Sequence, residues 1–198
     1  MQHEIGDFVE LRLVPVDDDE ARSVAFGGQR KARRRPNHQR RTDRQEEIAL
    51  LGQFLGTLEV GRISIAALSL SLTQAVLDMA TSYAKERVQF GQPISKFQAV
   101  QFKLADIATE LEASRWLTYR AAYLRDTGHP FRKEAAMAKL KASRVATWAA
   151  SEAVQIHGGL GYMLETPVAR FYCDSKVLEI GEGTNEIQHL VIARALGC

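Results

Sequence analysis

From Ala49 onward the apolar positions of this chain recur every three or four residues, the spacing that lines one side of a helix. Ile65, Leu68, Leu72, Val76, Met79 and Tyr83 form the first such stripe and predict a helix over residues 58–86. Val100, Leu104, Ile107, Leu111, Leu117, Ala121 and Leu124 form the second, ending near Asp126, where Gly128 and Pro130 supply a stop. A third helix, residues 131–156, carries Ala135, Ala138, Ala142, Ala149 and Ala153 beside Val145 and Trp148. Such small side chains let helices approach closely, and this helix with its neighbouring faces is the expected surface of self-association. Thr166 and Pro167 have the residue types of an N-cap and first position for a shorter helix to about residue 177, and a last helix is expected over 185–195. No strand pattern appears after Ala49. Short connections between helices favour antiparallel neighbours, so the expected fold class is all-α, an up-down helical bundle.

Ahead of residue 49 the pattern is different. Residues 1–28 hold one alternating stretch, Val9 to Leu13, and an acidic turn at 17–20, and define no domain of their own. Residues 29–44, QRKARRRPNHQRRTDR, have no apolar periodicity and one proline, so 29–49 reads as a basic linker expected to be disordered. No aromatic residue interleaves with the run, and 26 Lys and Arg against 24 Asp and Glu leave a net charge of only +2, which argues against nucleic-acid binding. The remaining domain, 50–198, is long enough to bury a sizeable core. Its longest apolar-leaning run, 63–77, is interrupted by Ser64, Ser69, Ser71, Thr73 and Gln74 and is too short to span a bilayer, so no membrane span is expected. The opening residues MQHEIGDF lack the basic and apolar regions of a secretory signal. Cys173 and Cys198 are the only cysteines, which suits a reducing compartment and supplies neither a disulfide framework nor a metal site.

The chemistry-bearing residues sit where helices end. Residues 180–188, IGEGTNEIQ, place Glu182 between Gly181 and Gly183, whose backbones are free to turn and to let a ligand approach closely. Thr184 or Asn185 can cap the helix that follows, and Asn185 with Gln188 has capping-box spacing. A helix N-terminus also favours anions. By itself, such a carboxylate is more often a solvated loop residue. Residues 86–94, ERVQFGQPI, offer Arg87 either to a phosphate or to the carboxyl end of its own helix. Residues 155–161, QIHGGLG, read as a glycine-rich helix stop, in which His157 alone is more often structural than a ligand.

Taken together and in order, these motifs resemble the C-terminal helical domain of the acyl-CoA dehydrogenase family over about residues 50–195. The match comprises LEVGR at 58–62, ERVQFGQPISKFQAVQ at 86–101, AVQIHGGLGY at 153–162 and IGEGTNEIQHLVIAR at 180–194. The resemblance implies FAD as cofactor, contacted by Arg87, Phe90 and Gln98. It implies that Gln155, Ile156, His157, Gly158 and Gly159 touch the FAD of a neighbouring subunit, that Thr184, Asn185 and Glu186 are further FAD contacts, and that Glu59, Val60, Gly61, Arg62 and Gly183 line the acyl-CoA site. Types that take their base from the first helix have Glu where Gly61 stands, which leaves Glu182 as the base. Most members carry Tyr where this chain has Gly181.

The implied reaction removes the weakly acidic α-proton of an acyl-CoA thioester, leaving a 2,3-enoyl-CoA as the β-hydride passes to the flavin. It calls for a desolvated carboxylate and for hydrogen bonds to the thioester oxygen, for which the backbone N–H of Glu182 is the family's candidate. The resemblance further implies an electron-transfer flavoprotein as partner, a homodimer or homotetramer, and a bacterial cytoplasmic or mitochondrial matrix location. Family members carry an N-terminal helical domain and a middle β-domain that residues 1–49 are too short and too basic to replace, so a truncated or incomplete chain with low activity alone is expected. A non-catalytic helical assembly module and an acyl-CoA oxidase are the alternatives.

Overall fold

The computed structural model describes residues 37–198, and the expected features of residues 1–36 lie outside it. Helix α1 (Asn37–Glu86) is followed by a hairpin of β1 (Val88–Gln89) and β2 (Gln92–Pro93), then a 3-10 turn at Ile94–Lys96. Helices α2 (Gln98–Asp126), α3 (Arg132–His157), the short α4 (Gly159–Tyr162), α5 (Pro167–Ile180) and α6 (Asn185–Ala195) complete it. Residues Glu47–Cys198 form one unit, an all-helical up-down bundle with α3 at its centre, packed on α2, α5 and α6.

Three boundaries differ from expectation. Helix α1 starts at Asn37 rather than near residue 58, so the backbone of 37–49 is helical where disorder was expected. After Pro36 no proline or glycine intervenes until Gly52, and Gln, Arg, Glu, Ala and Leu propagate a helix once it has started. The hairpin is also unexpected. Its two-residue strands, with Val88 opposite Pro93 and Gln89 opposite Gln92, are too short to show alternation. Its turn residues Phe90 and Gly91 both have positive φ, 52° and 78°, the geometry that tight hairpins prefer but usually build from Asn-Gly. Finally, α5 continues to Ile180, so the Glu182 loop leaves directly from a helix end.

The inward face of α1 is set by small and hydroxyl side chains rather than by the largest apolar ones. Ile63, Ala66, Ser69, Leu72, Thr73, Val76, Ala80 and Ala84 are buried, whereas Leu68 of the expected stripe is 56% exposed. Ser69 and Thr73 tolerate burial because their hydroxyls donate to carbonyls one turn back, at Ile65 O (2.8 Å) and Ser69 O (2.7 Å). Residues Gly56–Glu86 are apolar and long enough by composition to cross a membrane, which the run 63–77 alone is not. Their inward side is nevertheless the bundle core, and Arg62 is buried within it. The stripe on α2 matches expectation, with Ile107, Leu111 and Ala121 buried and Ser114 and Thr118 filling the middle.

The alanine-rich face of α3 corrects another expectation. Ala135, Ala138, Ala142, Ala149 and Ala153 are at most 1% exposed within the single chain. They bring α1, α2, α5 and α6 close to α3, and leave no alanine face outside for a second copy.

Candidate active site at the Glu182 loop

Residues 181–184 join α5 to α6, and the strained residue in the loop is the glutamate itself. Glu182 has φ 53°, a left-handed conformation that a side chain with a Cβ rarely adopts, and Gly183 follows at φ 87°. Gly181, in contrast, is extended at φ −60° and ψ 151°, so its glycine is not required by the backbone turn. A Cβ there would meet only Val177 O at 3.4 Å and Ile65 Cδ1 at 3.7 Å, ordinary van der Waals contacts.

The Glu182 side chain lies over α1 at Gly61. A Cβ built on Gly61 would overlap Glu182 Oε2 and come within 2.5 Å of Cδ and 3.0 Å of Cγ. The glycine is therefore what admits the carboxylate. A side chain at 61 would have to displace the end of the Glu182 side chain, so the resting position of the carboxylate depends on this glycine.

Next to Gly61, Arg62 is 4% exposed, and its Nε and Nη1 have no hydrogen-bond partner. Burial lowers the guanidinium's pKa; the Glu59 and Glu182 carboxylates pull it back up, and Arg132 opposes them. Arginine still remains charged at any working pH, so a cation with unused donors stands beside the candidate base. Glu59 itself is partly drawn to Arg132, 3.3 Å from its Nε.

Behind the loop stands a polar frame. Lys139 Nζ, on the buried face of α3, donates to Glu179 O (2.8 Å) and Asn185 Oδ1 (3.0 Å), and Ser143 Oγ donates to the same Oδ1 (3.0 Å). Gln188 Nε2 donates to Gly183 O (2.8 Å) and Glu182 O (3.3 Å). The capping expectation is thus corrected: Thr184 is the N-cap of α6 but makes no side-chain cap bond, and Asn185 turns inward to Lys139 instead. Glu186 takes the helix-end role, its carboxyl held below the usual range first by its own backbone N–H and then by the Thr184 hydroxyl.

The remaining site residues gather elsewhere. Arg87, Phe90 and Gln98 surround the hairpin, where Phe90 is 93% exposed. The glycine segment 155–159 ends α3 nearby, tied to the end of α1 by a stack of His157 on Tyr83 with ring centroids 4.3 Å apart. His157 Nδ1–H donates to Ala153 O (2.7 Å), so the ring is fixed on both sides, and Ile156 is core. Gly158 and Gly159 have nothing within 4 Å of an added Cβ, whereas at Gly161 that Cβ would meet Val154 O at 2.5 Å. Packing of the short α4 explains Gly161; the open backbone at 158–159 and the exposed aromatic and cation at 87–90 fit the approach of a large, flat, phosphate-bearing group such as FAD. His157 lies roughly 27 Å along α3 from Lys139, at 1.5 Å per residue. The chain therefore unites Gly61, Arg62, Glu182 and Gly183 with Thr184 to Glu186, and holds the other cofactor positions as a second patch at the far end of the bundle. Lys139 was not foreseen, and Gln188 and Tyr83, expected as a capping-box partner and a stripe residue, instead hold the loop carbonyls and stack on His157. The signal for Lys139 was a lone lysine at an inward position of an alanine stripe.

Residues 51–197 match the family model for the acyl-CoA dehydrogenase C-terminal domain. The chain is 61% identical over 144 residues to the probable acyl-CoA dehydrogenase YngJ of Bacillus subtilis, covering 73% of this chain and 38% of that protein. It is 56% identical over 137 residues to the mitochondrial short-chain specific acyl-CoA dehydrogenase of Bos taurus, covering 69% and 33%. Among solved structures, butyryl-CoA dehydrogenase from Megasphaera elsdenii superposes with a TM-score of 0.72 at 49% identity, covering 73% of this chain and 38% of that one. The chain thus spans between a third and two fifths of the length of these relatives. The chain belongs to the acyl-CoA dehydrogenase family, and the helical bundle described above is that family's C-terminal domain.

Proposed function

We propose that this domain supplies the catalytic base, and part of the FAD and acyl-CoA contacts, for α,β-dehydrogenation of an acyl-CoA thioester. The observation that carries the reading is the Glu182 carboxylate seated on Gly61 beside buried Arg62, at a residue held with positive φ. Glu182 removes the α-proton. Its own backbone N–H is the candidate donor to the thioester oxygen, where charge develops as the proton leaves. Glu59 to Arg62 and Gly183 line the acyl-CoA side, with the buried cation of Arg62 near the base. Bound FAD would supply the acceptor for the β-hydride. Thr184, Asn185 and Glu186 stand by the base; Arg87, Phe90 and Gln98, and on a neighbouring subunit Gln155 to Gly159, would hold the cofactor's other parts.

The exposure of Arg87, Phe90, Gln98 and Gln155 supports a cofactor enclosed between this domain and further protein surface, in a homodimer or homotetramer. Residues 50–198 alone should therefore turn over little, since displacement of a reacting group by about 1 Å costs on the order of a hundredfold. Reoxidation by an electron-transfer flavoprotein and a cytoplasmic or matrix location complete the proposal. To test it, residues 50–198 are joined to the N-terminal and middle domains of a related dehydrogenase and assayed with acyl-CoA and a dye acceptor. Turnover is expected in this fusion. Glu182→Gln should lower kcat by on the order of a hundredfold or more while FAD stays bound. Unimpaired Glu182→Gln turnover would remove Glu182 from the reaction, and turnover with oxygen as sole acceptor would favour an oxidase.

A further inference from the structure

The side chain that joins the two ends of the Glu182 loop is a lysine with no exposed surface. Lys139 sits between Ala135, Ala138 and Ala142 on the face of α3 that fills the bundle. Burying an ammonium there is costly, and a leucine or methionine would pack the same space without that cost. Two of its three donors are in use, and their acceptors are telling. Glu179 O belongs to the last turn of α5, where helix carbonyls lack partners within the helix, and Asn185 Oδ1 belongs to the first residue of α6. The chain between them, residues 180–184, is the loop that carries Glu182.

We propose that Lys139 is a positioning residue for Glu182: by bonding both the helix end that enters the loop and the helix start that leaves it, it fixes the span across which the loop is strung. A non-glycine residue at positive φ persists only where its surroundings over-determine it, and Lys139 is one side of that constraint. Gln188 is the other, holding Gly183 O and Glu182 O from within α6. Ser143 orients Asn185 so that its oxygen faces the lysine, which accounts for an asparagine that does not cap its own helix. The catalytic part of this inference rests on the proposed role of Glu182; the mechanical part does not.

The test uses the 198-residue chain and Lys139→Met, which keeps the length of the side chain and removes its donors. Amide hydrogen exchange should quicken on the order of tenfold over residues 180–188, with the amides of α2 unchanged. Should this variant fail to fold, Asn185→Leu, which removes one acceptor and leaves the lysine, must give the same localised change. Exchange that is unaltered, or faster in every helix alike, overturns the proposal. In the fusion enzyme, Lys139→Met should lower kcat at least tenfold with KM for acyl-CoA within threefold and FAD retained. Wild-type kcat in that variant, when Glu182→Gln is inactive, overturns the positioning role. An active Glu182→Gln instead overturns the proposed function, and the exchange result then decides the loop constraint separately.

Discussion

The two ends of the bundle are built on opposite terms. At the Glu182 end, side chains that matter are buried: Lys139 and Gln188 have no exposure, and Arg62 and Asn185 have very little. At the hairpin end they stand in solvent, with Phe90 at 93% and Tyr162 at 82% exposure. A base must be placed before substrate arrives, and a rigid, polar frame inside one chain can do that. The cofactor contacts proposed for the hairpin end would close against another protein surface and so gain nothing from being buried beforehand. The difference predicts that perturbations at the first end act on rate and loop order, and those at the second on cofactor retention, except where a residue there also packs.

That exception is the sharpest test of the contrast and carries the largest expected effect on stability. Gly161→Ala puts a methyl 2.5 Å from Val154 O and 2.8 Å from His157 Cβ, so it should destabilise the fold by about 1–3 kcal/mol, seen as a clear fall in Tm. Gly159→Ala, two residues away with open space around it, should leave Tm nearly unchanged and weaken FAD retention in the fusion enzyme. Equal losses of Tm in the two variants would erase the distinction between packing and cofactor glycines.

A smaller effect comes from pH at the opposite end. Burial pushes the Lys139 ammonium down to about 8, against the pull of the Glu179 and Glu186 carboxylates and with a contribution from Arg62. Between about pH 8 and the ordinary lysine value of 10.5 the unfolded chain keeps a proton that the folded chain has released, so stability gains as pH rises through this window. Below pH 8 the ammonium is charged in both states and its burial cost is constant. Wild-type Tm measured relative to Lys139→Met should therefore climb between pH 7.5 and 9.5 and be flat between 6 and 7.5. A difference that is flat throughout would mean that Lys139 is not desolvated.

Much of this was legible in the sequence, for identifiable reasons. Helices α2 and α3 announced themselves because their inward residues repeat at helical spacing with Gly128 between them, and α6 because Thr184 or Asn185 stands where a cap would. The face of α1 was misjudged at Leu68 because alanine, serine and threonine carry the packing there, and their small size hides them from a reading by hydrophobicity. Glu182 was found by its flanking glycines, although the strain lies on Glu182 and Gly183 rather than on Gly181. Lys139 was missed, and Gln188 was given a capping role it does not play, because a buried polar side chain shows its purpose only through partners 40 or more residues away, or through a backbone loop bent back toward it.

If Gly61 matters by making room for the carboxylate of Glu182, the two residues will be coupled in a double-mutant cycle on kcat of the fusion enzyme. Gly61→Ala should lower kcat at least tenfold when residue 182 is glutamate, since the added methyl occupies the volume of its carboxylate. In the Glu182→Gln background, where the base is already absent, the same substitution should change the residual rate by less than about twofold, the non-additivity expected of residues in contact. An equal fold-loss in both backgrounds would mean that Gly61 acts on the reaction independently of Glu182.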